Sequence, residues 1–367
     1  MTPSEISLVQ LNTRVKGGNS LIRRVPKVLP LLLAFAVFLC SRSARADPIM
    51  ADPSKDDKSP SRDQILWTQT DLAYDFSAEY DYVGGARQDL GNGTSGHVTE
   101  NYTDLRQIWT KRSMLAFLSY GGVEWEQMQF NMNDRDHIPD QLHDITAYLA
   151  TDFRWSDHDM MRVQIQPGFY TDLDDVTIHS VNIPTAIAYT HIPSRQFQWA
   201  FGLSINTWRR ETVLPGGGFR YAINDRWHLK FMLPNPQVEY KVNDYLHTWV
   251  GADLRGNSYR VSDHYGTDRG DPALNNAIVD YSEIRVGTGF SWNIKPLLEL
   301  NGEAGYMQQR SFDFYQAGFT STGGSAPYVS LTIRWLFQLS KDERPMNDQI
   351  RAMQTDFPSL KNLFKLP

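Results

Sequence analysis

The chain has 367 residues, of which 21% are charged and 12% aromatic, with a net charge of −6. That balance offers no basic surface for nucleic acid, and a mean hydropathy of −0.45 is too polar for a bundle of membrane helices. One cysteine, Cys40, leaves no disulfide and no thiolate metal site.

The first 46 residues predict export. Arg23, Arg24 and Lys27 precede the apolar run Leu29–Leu39, and Ala44-Arg45-Ala46 follows it. The run is shorter than the about 20 residues a spanning helix needs. Charged, apolar and small-x-small segments in that order read as a signal peptide over 1–46, cleaved before Asp47. Cys40 follows Leu39, which is not small, so a lipid anchor is not expected. Residues 1–46 hold seven of the 36 Lys/Arg and one of the 42 Asp/Glu, leaving the chain beyond them at −12. Residues 47–66 are charged, contain three prolines and have little to bury; they read as a disordered periplasmic leader.

From Trp67 to Phe337 the pattern alternates with a period of two. Leu72, Tyr74, Phe76, Ala78, Tyr80 and Tyr82 face one way; Asp71, Asp75, Glu79 and Asp81 lie between them. The same alternation runs through Ile145 to Trp155, Met161 to Ile165, Phe197 to Ile205, Leu246 to Leu254, Ile284 to Trp292 and Val329 to Phe337. A polar average with many aromatics is typical of transmembrane barrels, whose lumen and lipid faces alternate residue by residue. The runs also exceed the usual soluble strand of about 5–6 residues and reach the about 9–11 of a tilted membrane strand.

Connections alternate in length. Short turns are expected at 110–113, 156–159, 193–196, 224–226, 243–244 and 293–296. Longer loops are expected at 84–96, 131–141, 172–181, 209–217, 256–277 and 310–325, and Pro234–Pro236 breaks the rule by being short. Short periplasmic turns and long outer loops are the barrel pattern. The chain therefore predicts an all-β fold: a closed antiparallel transmembrane barrel of about 14 strands, 12 being the alternative, over residues 67–337. Trp67, Trp155, Trp208, Trp227, Trp292 and Trp335 fall near strand ends, where interfacial girdles form. Pro167-Gly168 predicts a kink, Gly121-Gly122 a shift of phase, and 217–233 two short strands. Residues 338–367 predict a periplasmic tail with a short helix.

Alternation points Arg154, Arg162, Glu239, Asp253, Arg255, Glu283, Arg285, Glu299, Glu303 and Arg334 into the lumen. Charges so placed either set ion selectivity or pair and fill the interior. Gly251, Gly287, Gly289, Gly302 and Gly305 are expected to serve curvature. His191 with Ser194 makes no hydrolytic site, because Ile192-Pro193 turns between them. Asp157-His158-Asp159 reads as a polar turn. Asp172, Asp174 and Asp175, like Asp134 and Asp136, lack a calcium-loop spacing. No catalytic residue, metal or cofactor is expected.

Four segments carry a resemblance: Phe231-Met-Leu-Pro-Asn-Pro-Gln-Val-Glu-Tyr240, Gly251-Ala-Asp-Leu-Arg-Gly-Asn-Ser-Tyr-Arg260, Tyr281-Ser-Glu-Ile-Arg-Val-Gly-Thr-Gly289 and Pro327-Tyr-Val-Ser-Leu-Thr-Ile-Arg-Trp335. With them the chain resembles a family of bacterial outer-membrane β-barrels defined as a domain of unknown function, over about residues 67–337. The resemblance implies fold and location and brings no activity. The functional expectation is a porin-like channel for small solutes; the alternative is a non-conducting barrel filled by its own charges. Expected partners are outer-membrane lipid, lipopolysaccharide and, during biogenesis, the barrel-assembly machinery.

Overall fold

The computed structural model describes residues 72–338, apart from 92, 115–116, 133–136, 155, 157, 195 and 296–297. The signal peptide, leader and tail lie outside the described residues, as do Trp67, Trp155, Asp134, Asp136 and Asp157.

Seventeen strand segments form one sheet. Three pairs of segments each run as a single broken strand, which makes a closed antiparallel barrel of fourteen. The strands are β1 (Leu72–Gly91), β2 (Thr94–Met114), β3 (Phe117–Asn131) and β4 (Gln141–Arg154). Then come β5 (Asp159–Ile165 and Gly168–Thr171) and β6 (Val181–Asn182 and Thr185–His191). Next are β7 (Phe197–Ile205), β8 (Val213–Ala222), β9 (Trp227–Met232) and β10 (Gln237–Lys241). The last are β11 (Leu246–Arg260), β12 (Ile278–Lys295), β13 (Leu298–Phe314) and β14 (Phe319–Gly323 and Ala326–Gln338). Ala73 to Val83 of β1 pairs with Gln338 to Tyr328 of β14 and closes the ring. Closure matters because a strand edge in hydrocarbon would leave its N–H and C=O groups unmatched.

Faces sort as the alternation demands. Val329, Leu331, Ile333 and Trp335 are exposed on the outer wall, while Ser330, Thr332 and Arg334 turn inward and are half-buried. Trp227, Trp292 and Trp335 are exposed near the periplasmic strand ends. Trp208 is not a girdle residue: it lies in the 206–212 loop, under the Arg260 guanidinium and edge-on to Tyr170.

Pro167 does break β5, because proline offers no N–H to the ladder. Gly121-Gly122 causes no phase shift, since β2 and β3 stay in register through both. Gly121 instead makes room for a ring: a Cβ there would stand 2.4 Å from Nε1 of Trp109. Likewise a Cβ on Gly289 would meet the Trp249 ring at 2.5 Å, so this glycine serves close cross-strand packing rather than curvature alone.

Two of the expected outer loops are strands. β1 and β2 continue to a tight turn at 91–94, and β13 continues to Phe314 before returning as β14. The barrel is thereby divided into tall and low walls. β1 and β2 have 20 and 21 residues, and β12 and β13 have 18 and 17. β9 and β10 have only six and five. Beyond the low wall, Arg260 of β11 pairs in parallel with Thr171 of β5. The tall strands β1–β5 and β11–β14 therefore draw together above β6–β10 as a narrower outer tier.

Candidate functional site

The lumen is built in layers from the outside inward. The outermost layer is apolar. Leu90, Tyr102, Phe130, Leu142, Tyr170, Tyr259, Tyr281, Phe312 and Phe314 form one buried cluster. Val261, Tyr265 and Leu274 join it from the 261–277 loop. Phe130 on β3 meets Phe312 on β13 edge-on at 4.9 Å and Tyr281 on β12 at 5.5 Å. Those strands are not neighbours in the ring, so the contacts cross the barrel and pack its outer end.

Beneath the rings lies a ladder of ion pairs. Arg310 Nη2 stands 2.6 Å from Glu100, and the Tyr281 hydroxyl donates to the same carboxylate at 2.9 Å. Arg285 reaches Asp81 and Glu283, both at 2.5 Å, and Glu100 at 3.6 Å. Arg255 continues downward to Asp81 at 2.7 Å, Glu79 at 2.9 Å and Asp253 at 2.5 Å. Arg285, Arg310, Asp81 and Glu100 are at most 1% exposed. Charges so buried persist only when each has hydrogen-bonded partners of opposite sign. The rungs come from β1, β2, β11, β12 and β13, so the ladder ties the barrel together across its lumen.

Below the ladder opens a polar cavity of about 220 Å³. Arg106, Arg255 and Arg334 line it together with Glu79, Asp104, Asp253 and Glu303. Asn235 and Gln237, from the low β9–β10 hairpin, form part of its wall. Nearer the periplasmic mouth the pairs are separate: Arg162 with Asp152, Arg334 with Asp75, and Lys230 with Glu239.

The expected lumen residues thus fall into three groups. Glu283, Arg285, Arg255 and Asp253 meet in the ladder. Glu303 accepts from the Tyr328 hydroxyl and, with Arg334, lines the cavity. Arg162 and Glu239 pair locally, Glu299 accepts from the Ser291 hydroxyl at 2.7 Å, and Arg154 donates to the Ser156 carbonyl at the inner turn. Reading the alternation missed the ladder's other half. Arg310 lies in an expected outer loop, and Glu100 lies outside the alternating runs. Asp81 and Glu79 were visible on the acidic face of β1, and their partners across the lumen were not.

Among the described residues one acidic trio is close enough to share a cation: Asp104, Glu124 and Glu126, with oxygens within 4.8 Å. Arg106, on the strand of Asp104, lies near Asp104 and Glu124, and Gln166 donates to Glu124 at 2.9 Å. Asp159 holds Ser156, Tyr189 and His191 around the inner turn, so this turn is a hydrogen-bonded cap. Asp172 is buried and accepts from the Ser262 N–H at 2.9 Å and the Asp174 N–H at 3.3 Å. It anchors the 261–277 loop over the outer tier.

Residues 103–337 match the sequence profile of a family described as a domain of unknown function, DUF6268. The chain belongs to this family. With the closed barrel, this places it where the resemblance in the sequence pointed, in a family of outer-membrane β-barrels without an assigned activity. No curated protein matches the sequence. Solved structures of similar fold include the COG4313 outer membrane channel from Pseudomonas putida F1, at 8% identity and a TM-score of 0.43, covering 78% of this chain and 100% of that one. The P. putida toluene transporter TodX follows the same course at 6% identity and a TM-score of 0.38, over 77% and 93%. The NanC porin does so at 8% and 0.33, over 71% and 98%. These likenesses concern the fold alone.

Proposed function

We propose that this DUF6268 barrel is a gated outer-membrane channel, exported by its N-terminal signal and shut along its axis in the state described. Its solute chamber is the mixed-charge cavity under the ladder. The observation that carries this reading is the order of the layers. A cavity of about 220 Å³ with three arginines and four carboxylates on its wall lies behind a lid of outer strand ends and their loops. Side chains of both signs around a small space suit polar solutes that carry both signs. The lid is apolar and built from the outer ends of strands and their loops.

Planar-bilayer recording tests it. Wild type is expected to show rare, brief openings rather than a steady porin current. The double variant Phe130→Ala/Phe312→Ala removes the rings that meet across the barrel, admits water to the ladder, and is expected to open often. A second reading, a non-conducting barrel, draws on the almost fully buried Arg285, Arg310 and Glu100. Silence from both proteins, each still shifting on a gel when heated, would sink the channel and leave that reading.

A further inference from the structure

The low wall has a consequence for access. β9 pairs with β8 only up to Gly218, and β10 with β11 only up to Gly251. Above that, the turn is held by Leu233 N–H to the Gly217 carbonyl, at 3.1 Å, and Leu254 N–H to the Pro234 carbonyl, at 3.2 Å. Beyond these bonds, among the described residues, β8 from Val213 to Gly216 and β11 from Arg255 to Tyr259 have no strand partner on the sides that face each other. Over the gap, the 206–212 loop leans onto the tall wall, where Arg210 N–H donates to Asp280 and the Tyr315 hydroxyl to the Trp208 carbonyl. The result is a step in the wall with a sill below, the 206–212 loop above, and a β11 side whose residues Gly256 to Tyr259 are buried.

The step lies at membrane depth. Six residues at about 3.3 Å each give roughly 20 Å of strand, and a tilt of about 45° leaves roughly 14 Å of height. The apolar band of such barrels is about 25 Å tall. The sill therefore stands about halfway up the band. Its outward side is apolar: Leu233 is 41% exposed and Val250 on the adjoining strand 55%. Its inward side is the cavity, through Asn235 and Gln237. Open strand edges at membrane depth are tolerated only where they line a polar space or are covered by protein.

We propose that the step is a lateral portal, and that the cavity takes the charged head of a single-chain zwitterionic amphiphile whose tail leaves over Leu233 into the outer leaflet. This deepens the channel reading above and rests on it for the cavity's role. The chamber's two signs of charge match a zwitterionic head. The apolar sill matches the tail. The sealed axis leaves the side as the outer route.

With Cys40, the chain's only cysteine, replaced by Ser, Gln237→Cys places one label in the cavity wall. The labelled, refolded protein in phosphatidylcholine vesicles is titrated with lysophosphatidylcholine bearing a nitroxide on its acyl chain. The expected result is saturable quenching that unlabelled lysophosphatidylcholine relieves and phosphocholine alone does not. A label at Val329→Cys, on the lipid face of β14, is expected to show only linear quenching. Leu233→Glu at the sill should weaken the saturable phase by about tenfold, and lengthening β9 and β10 by two alternating dipeptides each should abolish it. Linear quenching at 237, or equal relief by phosphocholine, would overturn the portal. Because Leu233 lies on the sill rather than in the barrel's seam, its variant keeps the test decisive if the lengthened protein does not fold. Saturable quenching with electrical silence would keep the portal and remove the channel; frequent openings in the ring-deleted variant with linear quenching would do the reverse.

Discussion

Glu100 is the single residue whose loss should say most about whether the lumen is dry. It takes Arg310 at 2.6 Å, the Tyr281 hydroxyl at 2.9 Å and Arg285 at 3.6 Å. Glu100→Leu leaves Arg310, which is 0% exposed, without its carboxylate. Removing one partner of a buried pair costs about 3–5 kcal/mol, because the other charge remains buried. Arg310→Met should cost less, about 1–3 kcal/mol, since Glu100 keeps Arg285 and Tyr281. The double variant replaces a desolvated pair by apolar groups and should lie within about 1 kcal/mol of wild type, or above it. The single costs then fail to add by at least about 2 kcal/mol, as neighbours in one network do. Urea unfolding in vesicles, followed by tryptophan emission and by the heat-shifted gel band, measures all four proteins. A cost below about 1 kcal/mol for Glu100→Leu, or additive single costs, would mean that the ladder is hydrated and the axis open to water.

Other perturbations separate the faces and the loops. Leu331→Arg or Ile333→Arg puts a charge on the lipid face and should cost about 2–4 kcal/mol, whereas Thr332→Arg, which lines the cavity, should cost much less; equal losses in refolding yield would reverse the face assignment. Gly121→Val must displace the Trp109 ring, whose Nε1 stands 2.4 Å from the added Cβ, and should lose about 1–3 kcal/mol by the same unfolding assay. Burial raises the Asp172 carboxyl above its ordinary 3.8. A raised folded value means that this group favours the anchored loop below its unfolded value, and that the contribution fades as pH rises through the folded one. Proteolytic nicking of the 261–277 loop should therefore increase from about pH 4 upward in wild type and stay flat in Asp172→Asn. The reverse slope would refute the assignment.

The membrane-level barrel was legible because lipid imposes a strict rule. Phe76, Tyr80 and Tyr82 must face out and Asp75 and Asp81 in, so β1 declares itself, and β14 does the same through Val329, Leu331 and Ile333. The kink at Pro167 was legible for a local reason, the missing N–H. The lumen charges were legible as a face and not as pairs. Alternation says that Arg285 points inward; it carries no information about which residue of β1 or β2 stands opposite.

The outer tier escaped for a sharper reason. Above the membrane the two faces exchange chemistry: apolar side chains turn in and polar ones turn out. On β1 this happens at a bulge between Val83 and Ala86, after which Ala86, Gln88 and Leu90 point inward while Arg87 and Asp89 are exposed. On β13 the register slips opposite the Ile284/Arg285 step, and Arg310, Phe312 and Phe314 then fill the interior. A bulge inserts one unpaired residue and so shifts every later side chain to the other face. Two changes at once, of phase and of solvent, make a strand look like a polar loop to any single-period reading. Gly84-Gly85 marks the first of these bulges in the sequence. The low hairpin escaped for the complementary reason: Leu233-Pro234-Asn235-Pro236 read as a turn, and the turn is there. Its meaning lies in its height against β8 and β11, which only the register between strands defines. A wall that stops halfway beside a tier that is sealed leaves the membrane, rather than the outer medium, as the cavity's nearest neighbour.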